Sequence, residues 1–400
     1  MSRGVTYPAG FRAAGISAGL KPSGKLDLGL LVGEPGTVAA GLFTTNRMPA
    51  APVVIGRTRI AATGGAVRAV LVNSGQANAA TGQRGAADAE KTTAAAADLL
   101  GLAAEHVLPC STGVIGEPIH LDAMLAALPS VVEALGAGGD AFARAIMTTD
   151  TVPKSAQADA GAFRVGGAAK GVGMIAPSLA TMLTFITTDA PVTPADLDGL
   201  ARRVLQPRFE AITVDACAST NDTVLLFASG AAGGSPVAPG SGGWRALEDA
   251  VAEVGDALAA QLIADGEGVT HVLLIDVEGA GDDVEARTVA KAIAESPLVK
   301  TAAFGRDPNP GRILQAVGAA GVEVDPTSVD VWIGDTQVVA SGVIPPAYFD
   351  ADQLRAAAAA SMTAAEVPLR VRVGAGPGRS RVLGCDLTYD YVRINGEYTT

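Results

Sequence analysis

The sequence predicts an α/β layered fold. Strand-like apolar segments alternate with segments of helical period along the whole chain, without internal repeats or a long linker. Apolar residues make up 48% of the 400 positions and charged residues 18%, which excludes a disordered chain and leaves enough apolar surface for one large core or two lobes.

The elements follow in order. Residues 67–73 read as a buried strand leading into a turn-rich loop at 74–82, and residues 86–100 as an alanine-rich helix. Residues 121–135 and 141–147 are further helices. Strand signals surround 157–165 and 182–188, and a helix covers 194–205. The helical period is clearest over 245–264, where Leu247, Val251, Val254, Leu258 and Leu262 fall on one stripe. A strand over 270–277 and a helix over 283–295 come next, then shorter strands at 297–302 and 329–333. A helix over 350–362 and strands within 367–373 and 379–392 complete the series. The Gly-Ser-Pro-rich stretch 230–243 is expected as a surface loop.

Bulk properties exclude several functions. A net charge of −12 with no Lys/Arg-rich run argues against nucleic-acid binding, which needs a basic face. Charges interrupt every long apolar stretch, so no membrane span is expected. The first residues carry no apolar signal segment, and Cys110, Cys217 and Cys385 are too scattered for a disulfide framework, so a cytoplasmic location is expected. His106, His120 and His271 lie in no metal-ligand spacing, and no metal site or Ser-His-Asp triad is expected from them. Gly166 to Gly171 lacks the Gly-Lys-Ser/Thr step of a phosphate loop, so no nucleotide cofactor is implied.

The segment from Lys170 to Phe185 is the most informative. A turn rich in glycine and containing Pro177 delivers Ala180 and Thr181 into an apolar strand. Such a segment suits a peptide bond meant to break. The Thr181 hydroxyl attacks the Ala180 carbonyl, the acyl group moves from nitrogen to oxygen, and water cleaves the ester. The new α-amine of Thr181, with a reference pKa near ~8, then serves as base for its own hydroxyl. Before cleavage that amine does not exist, so the first step borrows a neighbour or a water, and the residues leave open which. The same residues also make an ordinary strand, and the neighbouring motifs decide between the two readings.

Three polar loops accompany it. Cys110 to Gly116 sets Thr112 and Gly113 in a turn whose backbone N–H groups and hydroxyl suit a developing oxyanion, although it also reads as a plain turn. Met147 to Lys154 and Asp215 to Thr223 concentrate hydroxyls beside carboxylates.

Together these segments resemble the bifunctional ornithine acetyltransferase/glutamate N-acetyltransferase family over almost the whole chain. The family pattern Lys-Gly-x-Gly-Met-Ile-x-Pro-x-x-Ala-Thr-Met-Leu is matched from Lys170 to Leu183, and Ser-Thr-Gly-Val-Ile-Gly from Ser111 to Gly116. Further matches are Asn73 to Ala79, Ile146 to Thr151, Ser219 to Thr223 and Tyr391 to Thr400. Two positions depart from the pattern: Pro310 stands where the family usually has tryptophan, and Ala216 where it usually has glycine.

The resemblance implies a layered α/β sandwich of the ornithine-acetyltransferase type, an N-terminal-nucleophile enzyme with two lobes. It implies cleavage between Ala180 and Thr181 into an alpha chain 1–180 and a beta chain 181–400, fragments of one intertwined fold. Thr181 would carry the acetyl group from N2-acetyl-L-ornithine to L-glutamate, with Thr112 and Gly113 as the oxyanion hole. Thr148, Lys170, Thr181, Glu267, Asn395 and Thr400 would bind substrate, Lys170 suiting a carboxylate and Glu267 an ammonium. No resident cofactor is implied; acetyl-CoA is a possible co-substrate, and two alpha and two beta chains would associate. The rival readings are an N-terminal-nucleophile amidohydrolase or aminopeptidase, a specialised-pathway acetyltransferase, and an uncleaved binding protein.

Overall fold

A computed structural model describes residues 3–176, 182–350 and 352–397. Ala180, Thr181 and Thr400 therefore lie outside the described residues. The chain divides into two compact units, one of Met1–Glu210 with Ala218–Leu262 and one of Ala211–Cys217 with Ile263–Thr399.

The first unit holds strands β1 (Phe11–Ile16), β2 (Leu28–Gly33), β3 (Val38–Phe43), β4 (Ala69–Gln76), β5 (Val107–Val114), β6 (Lys154–Ala160), β7 (Phe163–Lys170), β8 (Leu183–Thr188) and β9 (Thr223–Ala228). They form two sheets, ordered β1-β2-β4-β5 and β3-β9-β8-β7-β6. Strands β2, β8 and β9 are buried at every position, as expected of apolar strands covered on both faces. One core cluster draws Val70, Leu108, Phe142, Phe185, Leu225 and Phe227 together from both sheets and from helix Gly139–Ala145. Phe142 and Phe185 meet there edge to face at 5.2 Å. A second cluster joins the first sheet to helices Gly82–Leu100 and Leu121–Glu133 through Leu30, Leu71, Ala96, Met124 and Leu128. Helix Gly242–Ala264 covers the second sheet, approaching so closely that a Cβ on Gly167 would lie 2.9 Å from Leu258 and 3.0 Å from Val254. The predicted layering is what the unit shows: helices, sheet, sheet, helix.

The second unit holds β10 (Val272–Ala280), β11 (Asp330–Ile333), β12 (Thr336–Val339), β13 (Glu366–Arg372) and β14 (Gly378–Cys385), ordered β12-β11-β13-β10-β14. Strand β13 alternates exposed and buried residues along its length, so one sheet face is covered and the other polar. Helix Asp283–Glu295 lies on the covered face, with Val289, Ala290 and Ile293 fully buried.

Several expectations need correction. Residues 297–302 are not a strand but part of helix Pro297–Phe304: the Ser296 side chain accepts the Val299 N–H and Pro297 occupies the first turn, local signals that outweigh the β-branched content. Residues 389–392 open helix Tyr389–Glu397 instead of continuing a strand. The strand signal across 157–165 is a hairpin, β6 and β7 turning at 161–162. Cys110 to Val114 is the end of β5 and not a turn. The helix over 194–205 is α-helical to Leu200 and widens to a π-helix at Ala201–Leu205.

The two departures from the family pattern acquire a setting. Pro310 opens helix Pro310–Gly318, whose N-cap Asn309 accepts the Arg312 N–H, and proline suits that position because no helical partner awaits its missing donor. Ala216 has φ +59°, the left-handed region that favours glycine.

Candidate active site

In the first unit the ends of β4, β5, β7 and β8 bring together the polar loops singled out above. Strands β4 and β5 run parallel in register, pairing Ser74 with Thr112 and Gly75 with Gly113. Gly113 has φ +133°, and a Cβ there would lie 2.2 Å from the Gly75 carbonyl, so only glycine fits. Ser111 donates to Asn73 Oδ1 at 2.6 Å, and Asn221 Nδ2 donates to the carbonyls of Ala77 (2.6 Å) and Ser111 (2.8 Å). Three motifs distant in sequence are thus fixed to one another.

Lys170 ends β7 and is 3% exposed; its Nζ donates to Thr112 Oγ1 at 3.2 Å. An ammonium accepts no hydrogen bond, so the Thr112 oxygen is the acceptor and its own hydrogen stays available to a third group.

Thr148 is half-buried in the loop before β6. Its N–H donates to Asp150 Oδ2 at 2.9 Å, while Asp150 Oδ1 accepts from Lys154 Nζ (2.7 Å) and from the Gly171 N–H (2.8 Å). Burial alone would raise the Asp150 carboxyl, but the charges of Lys170 and Lys154 and these hydrogen bonds hold it down at about 2. Lys21 lies near the same groups, its Nζ donating to the carbonyls of Leu26 (2.8 Å) and Met147 (2.7 Å). Burial brings its ammonium down to about 8, with the Lys170 charge adding to the effect and Asp27 opposing it.

At the start of β8, the Met182 N–H donates to Asp222 Oδ1 at 3.2 Å. Asp222 is wholly buried, and burial raises its carboxyl well above the usual range, against the Met182 N–H, the Thr44 and Ser219 hydroxyls and the Lys170 charge.

The second unit holds Glu267 and Asn395. Asn395 Nδ2 donates to Glu267 Oε2 at 2.8 Å and to the Tyr391 carbonyl at 3.0 Å. The Tyr391 hydroxyl donates to Asp215 Oδ2 at 3.1 Å, and burial pushes that phenol up, with Asp215 second. His271 is buried with Nδ1 3.1 Å from Asp386 Oδ2 and 2.8 Å from Thr270 Oγ1. Hydroxyl and carboxylate meet the same nitrogen, so the three do not form a proton relay.

Thr112, Gly113, Thr148 and Lys170 are therefore neighbours in the first unit, and Glu267 pairs with Asn395 in the second. Thr181, Ala180 and Thr400 fall outside the described residues. Sequence reasoning missed Lys21 and Asp27 altogether and gave no role to Lys154, which closes one of the polar loops. A lysine opening a strand carries no sign of burial, because its partner Asp150 is supplied only when the loop folds back.

The comparisons with known proteins point to one family. The ArgJ family model matches residues 12–400. The chain is 49% identical over 405 residues to the Arginine biosynthesis bifunctional protein ArgJ of Parasynechococcus marenigrum, covering 100% of this chain and 96% of that protein. It is 45% identical over 408 residues to the protein of the same name from Mycolicibacterium paratuberculosis, covering 100% and 97%. A crystal structure of Arginine biosynthesis bifunctional protein ArgJ from Bacillus halodurans matches at 38% identity and a TM-score of 0.50, over 53% of this chain and 97% of that chain. With the family model matched from residue 12 to the last residue and relatives 45–49% identical over the whole chain, the chain belongs to the ArgJ family.

Proposed function

We propose that the chain cleaves itself between Ala180 and Thr181 and then moves the acetyl group of N2-acetyl-L-ornithine to L-glutamate through an acetyl-Thr181 ester, a step of arginine synthesis. The observation that carries this reading is the Lys170–Thr112 contact beside Gly113. It leaves the Thr112 hydrogen and the Gly113 N–H as donors for a carbonyl oxygen that gains charge on attack, and one such donor is worth ~10²–10³ in rate.

The chemistry is balanced. The Thr181 hydroxyl attacks the acetyl carbonyl while the Thr181 amine takes its proton and returns it to the departing ornithine amine. Glutamate then attacks the ester by the reverse path. The amide consumed resembles the amide formed, so no ATP is needed. Lys170 suits a substrate carboxylate, and Asp150 holds the Thr148 backbone N–H. In the second unit, Glu267 and Asn395 hold the matched positions for the ammonium end.

Cleavage fragments of 180 and 220 residues would stay associated, because β7 and β8 on either side of the break pair antiparallel, Lys170 with Leu183. The solved Bacillus halodurans chain is accounted for at 97% by 53% of this one, about 212 of 400 residues. Two copies of each fragment form the assembly in this reading, in the cytoplasm. Among the described residues no helix is long and apolar enough to cross a membrane. The reaction uses no resident cofactor, and acetyl-CoA enters only as a second acetyl donor.

A denaturing gel and an acetyl-transfer assay test the proposal. Two bands with ornithine released as glutamate is acetylated are expected. One band with no transfer overturns it, and acetate released without glutamate acetylation reassigns the chain as an amidohydrolase.

A further inference from the structure

Asp215 opens one of the polar loops and Tyr391 the matched C-terminal motif, yet the transfer reaction gives neither a task. Both belong to the second unit, where their side chains meet at 3.1 Å. Asp215 is firmly anchored. The Thr213 N–H donates to the Leu383 carbonyl at 2.9 Å, and buried Lys300 donates from Nζ to the Val214 carbonyl at 2.7 Å. Burial, then the Asp215 charge and that of Glu267, keep the Tyr391 phenol protonated, so its single hydrogen is committed to Asp215.

The tether acts on the helix that carries Asn395. Tyr391 and Asn395 lie one turn apart in helix Tyr389–Glu397, so both fall on one face. At the helix start the buried Thr388 hydroxyl donates to the Gly268 carbonyl at 2.7 Å and accepts the Tyr391 N–H at 3.2 Å. Gly268 has φ +69°, and a Cβ there would lie 2.5 Å from the Tyr391 nitrogen, so the helix start sits against the residue after Glu267. Asn395 Nδ2 then places one hydrogen on Glu267 Oε2 and the other on the Tyr391 carbonyl. Two acceptors converge on that atom, so it must be the nitrogen, and both of its hydrogens are used. What the amide offers a ligand is Oδ1, an acceptor beside a carboxylate. Such a pair takes a cation and turns away an anion.

We propose that Tyr391, tethered to Asp215, is a positioning residue that sets Asn395 and Glu267 as paired acceptors for the side-chain ammonium of the acetyl donor. This inference rests on the acetyl-transfer reading and deepens it by naming what fixes the choice of donor. In N2-acetyl-L-ornithine the α-nitrogen is acylated, so the side-chain ammonium is the only cation on the molecule. Without the tether, this end of the helix is held at Gly268 alone and can turn about that contact. Asn395 then leaves Glu267, and the acceptor pair is lost while the acetamide end of the substrate is untouched.

The test measures acetyl transfer to glutamate by the purified enzyme, with N2-acetyl-L-ornithine as donor. N2-acetyl-L-norvaline, which has the same acetamide but a side chain ending in a methyl group, serves as the competing ligand. Tyr391→Phe removes only the hydroxyl. It is expected to raise KM for acetylornithine about tenfold, with kcat within about twofold and the inhibition constant of acetylnorvaline unchanged. Asp215→Ala is expected to do the same, and the double variant to be no worse than either. Asp215→Asn, which keeps an acceptor for the hydroxyl, is expected to recover most of the KM. If circular dichroism shows Tyr391→Phe unfolded, the two Asp215 variants read the same bond from its other end, and equal KM values for them overturn the tether. An unchanged KM in Tyr391→Phe, or equal weakening of both ligands, overturns the inference and leaves the transfer reading standing. Additive losses in the double variant do so too. Wild type that moves no acetyl group to glutamate overturns the reading, and this inference with it.

Discussion

Lys154 and Asp150 form an ion pair of 2.7 Å with side chains 1% and 0% exposed. The pair joins β6 to the loop carrying Thr148, and through the Gly171 N–H to the end of β7. Removing one partner strands the other charge in the interior. Lys154→Met is expected to cost about 3–5 kcal/mol of stability, read from the urea midpoint, and an unchanged midpoint would refute this role.

The same carboxyl sets an acid limb. Its folded pKa, about 2, lies below the ordinary carboxylate value, so between roughly pH 4 and 2 the unfolded chain binds more protons. The stability it contributes is present above that window and lost as pH falls through it. Asp150→Asn is expected to unfold more readily at pH 7 while showing a shallower loss between pH 4 and 2. An acid limb as steep as that of the wild type contradicts this.

Thr112→Val removes a hydroxyl and keeps the shape. Acetyl transfer is expected to fall ~10²–10³-fold with little change in melting temperature. Gly113→Ala places a Cβ 2.2 Å from the Gly75 carbonyl, and both activity and melting temperature are expected to fall. Full activity in either variant removes these two residues from the oxyanion site.

Lys21 ties down the residue before Thr148 through the Met147 carbonyl. Lys21→Met loses a charged hydrogen bond of about 1.5–3 kcal/mol. The expected result is a KM for the acetyl donor raised about tenfold or more, with a smaller change in kcat. An equal loss in kcat with KM unchanged would place Lys21 in the chemistry itself.

Ala216 sits at φ +59°, where a Cβ costs roughly 1–2 kcal/mol. Glycine relieves that strain but adds freedom to the unfolded chain, about 0.4–1 kcal/mol. Ala216→Gly is expected to stabilise by up to about 1 kcal/mol, measured by denaturant titration, and a destabilised variant refutes the strain.

Much of this protein was legible in its residues alone. The alternation of elements predicts the layers, and Lys170, Thr112 and Thr148 are identified by motif before any contact is seen. The motif clusters around Asp150 and Asp222 stand out as polar beyond what loops require. The misread segments share a cause. At 297–302 a β-branched run hides a helix that the Ser296 cap and Pro297 start, and at 110–114 glycine suggests a turn where parallel pairing with β4 makes a strand end.

Residue order alone determined which side chains exist to do chemistry and the periodicities that send apolar faces inward, because both are local properties. Only the tertiary structure decided which charges lose water and which partners they find there. Lys154 and Asp150 are four residues apart in sequence, yet the sheet ends buried both. Asp222 met the Met182 N–H across 40 positions because two strands pair in parallel, and the energy of a charge depends on that surrounding and not on its neighbours in the chain.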